Sequence, residues 1–83
     1  MLLSVEQCRA ARALLGWSTN ALADAAKLGL ATVRRFETGN PVQPSSVEAM
    51  QKALESAGIT LIGAGKSSPQ GGEGVRFSPP PQG

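Results

Sequence analysis

The chain of 83 residues contains no histidine, no tyrosine and a single cysteine, Cys8. Without histidine, no Cys/His metal cluster, Cys–His dyad or Ser–His–acid triad can be assembled, so neither catalysis of those kinds nor a bound metal or other cofactor is expected. A lone cysteine cannot form an internal disulfide, which suits a reducing cytoplasm better than a stapled, secreted scaffold. Long apolar runs are missing too. The stretches near residues 13–17 and 59–65 fall far short of the ~20 residues that cross a bilayer, and Glu6, Arg9 and Arg12 interrupt what would be the apolar region of a signal peptide. No membrane association is expected. Length adds a further limit, because one small core burying about 60% of the unfolded surface leaves no room for a multidomain enzyme. A net charge of +2 is too small to identify a partner by itself.

Glycine and proline are scarce in one part and dense in another. Residues 1–57 hold three Gly and two Pro, whereas residues 63–83 hold six Gly, four Pro and three Ser, a density typical of loops and tails. Between them Ile59-Thr60-Leu61-Ile62 forms a β-branched run bounded by glycines, and Val75-Arg76-Phe77 forms a second short one. The expected organisation is a helical domain over 1–58, a β-hairpin over 59–78 and a disordered Pro-rich tail over 79–83. No internal repeat is visible.

Punctuation divides the helical part into four. Ser4 followed by Gln7 is a capping-box signature that starts a first helix near Val5, with Val5, Cys8, Arg12 and Leu15 at helical spacing and Gly16 as the stop. Ser18 caps a second helix over Thr19–Ala26, with Leu22, Ala23 and Ala26 inward. A third helix runs from Leu30 to about Thr38, with Val33 and Phe36 inward and Gly39 after it. Residues 40–44 read as a loop, because each proline biases its predecessor away from helix. Ser45 and Glu48 then read as a second capping box for a fourth helix ending at Ala57, with Val47, Met50, Leu54 and Ala57 as its apolar stripe.

The second and third helices are too short to be stable alone, since helices below ~12 residues are marginal in water. Two short helices joined by a tight turn, the later one carrying paired arginines, fit a helix-turn-helix that enters the DNA major groove. Arg34 and Arg35 could read guanine or clamp phosphate; they fit equally well as solvated surface charges.

The segments Leu14-Leu15-Gly16-Trp17-Ser18, Ala21-Leu22-Ala23 and Thr32-Val33-Arg34-Arg35-Phe36-Glu37-Thr38-Gly39 together resemble the phage-repressor/Cro-like helix-turn-helix (XRE) family over roughly residues 4–58. The resemblance implies a mostly α, lambda-repressor-like bundle with residues 30–38 as the recognition helix. It also implies a structural ion pair beneath the DNA surface between Arg12 and Glu37. The residues it places at DNA are Ser18, Thr19, Lys27, Gly29, Leu30, Ala31, Thr32, Arg34, Arg35, Asn40 and Gln43. Several depart from the family pattern. Thr19 replaces the usual Gln, Lys27 replaces the turn Gly, and Gly29 replaces a Ser or Thr cap. Leu30 and Ala31 stand where base-reading polar side chains are common. They can touch a thymine methyl but cannot hydrogen-bond a base edge, which moves specificity onto Thr32, Arg34 and especially Arg35. Asn40 and Gln43 can position the sugar-phosphate backbone, and Asn40 fits plain turn chemistry equally well.

Gly63-Ala64-Gly65-Lys66-Ser67 looks like the end of a P-loop, yet Thr60 occupies the position of its first glycine and no helix pattern follows, so an ATPase is not expected. Cys8 reads as a small core hydrophobe and Trp17 as a staple at the first helix corner. Ile59, Leu61, Val75 and Phe77 alternate as strand faces would. A lone hairpin is unstable in water, so these four, as the dimerisation element, are expected to pack on the fourth helix or pair with the same strands of a second subunit, either of which serves a homodimer that sets two recognition helices about one DNA turn (~34 Å) apart.

The expected function is a non-enzymatic, cytoplasmic, homodimeric transcriptional regulator, of repressor type, that binds double-stranded DNA at an inverted-repeat operator. The alternative is a protein-interaction module of antitoxin or anti-activator type, docking a partner through the third helix or the tail. Charge is polarised: residues 7–36 carry a local +4 and residues 37–58 a local −2, which implies modest non-specific affinity and a shallow salt dependence per subunit.

Overall fold

A computed structural model describes residues 3–62 and 74–77. The element order is α1 (Val5–Leu15), α2 (Thr19–Ala26), α3 (Leu30–Glu37), α4 (Pro44–Ser56), β1 (Ile59–Ile62) and β2 (Gly74–Phe77). The architecture is mostly helical with one small antiparallel sheet. The Pro-rich end at 79–83 and the Gly65-Lys66-Ser67 remnant lie outside the described residues.

Local chemistry accounts for the helix ends. Ser4 and Gln7 form the reciprocal capping box at α1, each accepting at 3.0 Å from the other's backbone N–H. Gly16 closes α1 in the left-handed region at φ 69°. Ser18 caps α2 by accepting from Ala21 N at 3.1 Å. Lys27 then takes φ 58°, the sole non-glycine at positive φ among the described residues, where a Cβ costs roughly 1–2 kcal/mol. Gly29 precedes α3 with no side chain to cap it. Position and register of α3 must therefore come from packing.

The fourth helix corrects an expectation. It begins at Pro44, with Gln43 as an uncapped N-cap at φ −66°, ψ 143°, so Ser45 and Glu48 form no capping box. Proline demands an extended predecessor, and extended backbone is also what an N-cap requires. Its fixed φ and missing N–H then suit the first helical position. The residues that look like the end of a loop are the start of the helix.

The core gathers Leu3, Cys8, Ala11, Leu22, Ala23, Val33, Phe36, Met50, Leu54 and Ile59, with Leu15, Trp17, Val47, Leu61 and Val75 packed around it. The strands pair in register Ile59↔Phe77, Thr60↔Arg76, Leu61↔Val75 and Ile62↔Gly74. Directly opposite residues share a sheet face, so Ile59, Leu61, Val75 and Phe77 lie together as their alternation implied. That face turns inward. Ile59 is buried and Leu61 and Val75 half-buried against the core that includes Met50 and Leu54 of α4, the first of the two expected arrangements, while Phe77 is exposed.

Buried Gln7 holds the sheet to α1. Its Nε2 donates to Ile62 O at 3.1 Å and Gly74 O at 3.2 Å, one carbonyl from each strand. The same residue therefore caps a helix and bridges the sheet.

Candidate nucleic-acid interface

One face of α3 is occupied by the core. Val33, Phe36 and Glu37 are buried, while Ala31, Arg34 and Arg35 are exposed and Leu30 and Thr32 lie half-buried at the margins. At 3.6 residues per turn, Ala31, Arg34, Arg35 and Thr38 share an arc of about 100° with Ala31 near its middle. A short helix anchored along its back thus presents two cations around one methyl group.

The anchor is partly ionic. Arg12 Nε donates to Glu37 Oε2 at 2.7 Å and Nη2 to Glu37 Oε1 at 2.8 Å, a bidentate pair joining α1 to the end of α3. The remaining Arg12 donor, Nη1, reaches Trp17 O at 3.0 Å, fixing the corner between α1 and α2. Cys8 Sγ donates to Glu37 Oε2 at 3.1 Å. Burial pushes the Glu37 carboxyl up, but the hydrogen bonds from Arg12 and Cys8 and the positive charges of Arg12 and Arg9 outweigh it, leaving the group below its ordinary value. Burial, then the bond to Glu37 and its negative charge, push the Cys8 thiol far up, so it stays neutral. Among the described residues every buried side-chain nitrogen and oxygen has a partner.

Thr32 and Arg35, one turn apart on α3, meet Gln43 across a surface depression of about 540 Å³ that Pro41, Val42 and Ser46 complete. Arg35 Nη2 donates to Pro41 O at 3.3 Å, leaning toward the α3–α4 loop, whereas no hydrogen bond holds the exposed Arg34 side chain among the described residues. Thr38 Oγ1 donates back to Arg34 O and Arg35 O and accepts from Asn40 Nδ2 at 3.0 Å. Asn40 is thus engaged in turn chemistry. Ser18 and half-buried Thr19 sit at the start of α2, with the Ser18 hydroxyl oxygen occupied as a cap. Ser46 was not foreseen, because reading a cap at Ser45 left the first turn of α4 unassigned; Pro44 was the signal that locates it.

Lys27 is set apart from this group. It lines a separate depression of about 480 Å³ between α2 and α4, with Trp17, Ala26, Ala49, Lys52 and Ala53. Its backbone is in the left-handed region at φ 58° and its side chain is exposed.

Among the described residues no three Cys, Asp or Glu side chains gather at one point, and no helix is long and apolar enough to cross a membrane. The chain matches no protein-family model, no curated protein and no solved structure.

Proposed function

We propose that the chain is a DNA-binding regulator in which α2, the turn at Lys27–Gly29 and α3 act as a helix-turn-helix, with α3 lying in the major groove. The observation that carries this is the outward face of α3: Arg34 and Arg35, both exposed, flank the small Ala31 on a helix whose back is fixed by Val33, Phe36 and the Arg12–Glu37 pair. A small residue between cations lets a helix approach the groove floor closely, and arginine is the side chain best suited to guanine edges and phosphate. The depression at Thr32, Arg35, Gln43 and Ser46 adds hydroxyl and amide donors beside the helix, where a sugar-phosphate strand would pass.

Operation as a homodimer on an inverted repeat fits the dimensions. One protomer measures 35 × 30 × 20 Å, so two related by a twofold axis can set their α3 helices ~34 Å apart. Of the four hairpin residues, Phe77 is the one left outside to contribute to such contact. With Arg12 neutralised by Glu37, Arg34 and Arg35 dominate the phosphate charge count, and a dimer's log K against log salt should slope at about −4 or less steeply.

The test is a titration of the purified chain against its upstream DNA and against a random duplex across a salt series. Preference for the upstream duplex with that shallow slope is expected. Equal affinity for both at every salt concentration refutes sequence-specific regulation.

The alternative, a protein-interaction module, draws on the alanine-lined groove between α2 and α4, rimmed by Lys27 and Lys52. A stoichiometric protein partner from a pull-down, with no duplex preferred, would establish it instead.

A further inference from the structure

Resting on that DNA-binding reading, we infer that α3 reads a thymine C5-methyl beside a guanine: Ala31 packs on the methyl while Arg34 hydrogen-bonds the guanine edge.

Three observations converge. First, the residues that open α3 ahead of Thr32 offer no hydrogen-bonding side chain: Gly29 has none, Leu30 is half-buried and apolar, and exposed Ala31 ends in a methyl, while half-buried Thr32 faces the depression beside Arg35 and Gln43. The first contact this helix makes with a base edge is therefore apolar. In the major groove the apolar feature that distinguishes one base from another is the C5-methyl of thymine.

Second, Ala31 and Arg34 are separated by three residues and so are neighbours on the helix surface, about 5–6 Å apart at Cβ. That spacing suits adjacent base pairs, one offering a methyl and the next the N7 and O6 acceptors of guanine. Third, the two arginines are not equivalent. Arg35 is drawn toward the loop by its bond to Pro41 O at 3.3 Å, whereas Arg34 is exposed with its donors uncommitted among the described residues. Arg34 is the one positioned to bond a base next to the methyl, and Arg35 the one nearer the backbone side.

The test begins with the duplex that the full chain recovers in a binding-site selection. Each thymine is replaced in turn by uracil, which removes only the C5-methyl. One thymine next to a guanine in each half-site should then bind about fourfold more weakly, as the loss of a single buried methyl implies. At that position 5-methylcytosine should outbind cytosine by a similar factor. In Ala31→Gly, with helicity checked by circular dichroism, the preference for thymine over uracil should disappear. If uracil binds as well as thymine at every position of a duplex the chain selects, the methyl reading is overturned and operator binding stands. If no duplex is selected, both fail. The base replacements decide the matter with the unaltered protein, so a poorly folded variant leaves the test intact.

Discussion

Replacing Glu37 by glutamine isolates what fixes α3 on its scaffold. The substitution keeps the side-chain volume, removes the negative charge and sets an amide NH2 against guanidinium donors that now sit at 2.7 and 2.8 Å from the carboxylate. At most one guanidinium bond, to the amide oxygen, survives where two existed. With bonds to charged groups contributing ~1.5–3 kcal/mol each, the loss of one comes to about 1.5–3 kcal/mol. Glu37 is only 7% exposed, but Arg12 is 21% exposed, so water can rescue part of the guanidinium. A cost of about 2 kcal/mol follows, against a total of ~4–12 kcal/mol for a domain of this size.

Urea unfolding followed by helical circular dichroism measures it. With a slope near 1 kcal/mol per M, the midpoint should fall by about 2 M at unchanged slope. Because the folded carboxyl titrates below its ordinary value of 4.5, the stabilisation is complete above that pH and is lost as pH falls through the folded value. The difference between Glu37→Gln and the parent should therefore be full at pH 7 and shrink below pH 4.5. A midpoint shift under about 0.3 M at pH 7 would refute the reasoning, since that is the behaviour of a solvent-exposed ion pair.

Gln7→Ala should cost about 3 kcal/mol, because it removes the capping bond to Ser4 N–H and the two bonds to the carbonyls of Ile62 and Gly74 at once; hydrogen exchange should localise the opening to β1 and β2. Lys27→Gly should stabilise the domain by about 0.5–1 kcal/mol in thermal unfolding, since it relieves a Cβ at φ 58°. Its separation from the α3 face further implies that specific DNA affinity changes little in that variant. Arg35→Ala should weaken binding to the selected and the random duplex alike and reduce the salt slope by about 1 per subunit in a duplex titration, as the loss of a phosphate contact does. Its side chain is exposed, so helicity should be unchanged, and a loss of helicity would contradict the assigned role.

The helical core was largely legible because caps and stops are local chemistry. Ser4–Gln7, Ser18 and Gly16 act within four residues of where they stand, and the structure uses each of them there. The start of α4 was misread because a proline's extended predecessor and a helix N-cap have the same backbone signature. The shared face of Ile59, Leu61, Val75 and Phe77 followed from period-2 alternation, but alternation gives neither the register nor which face turns inward; the packing of Ile59 with Met50 and Leu54 in the core decides the latter. Gln7 was visible as a capping residue. Its hold on two carbonyls 55 and 67 residues away depends on tertiary placement and leaves no mark in local sequence.

Gln7 and Glu37, the two buried polar residues among those described, explain how so small a core defines one arrangement. Apolar contacts among Leu22, Val33, Met50 and Leu54 favour burial but are non-directional, and alanine-rich helices such as α2 can slide against their neighbours at little cost. Gln7 and Glu37 are directional, and each is satisfied only when α1 meets a distant segment in one register: the sheet for Gln7, the end of α3 for Glu37. A shift of one residue would orphan a buried amide or carboxylate, at a cost of roughly 1–3 kcal/mol or more per group. That constraint matters most for α3, which has no side-chain cap and only eight residues. A helix free to rotate by one residue would turn Ala31 about 100° away from the groove. On the proposed reading, then, the Arg12–Glu37 pair contributes to specificity without touching DNA: it determines which three side chains of α3 face outward.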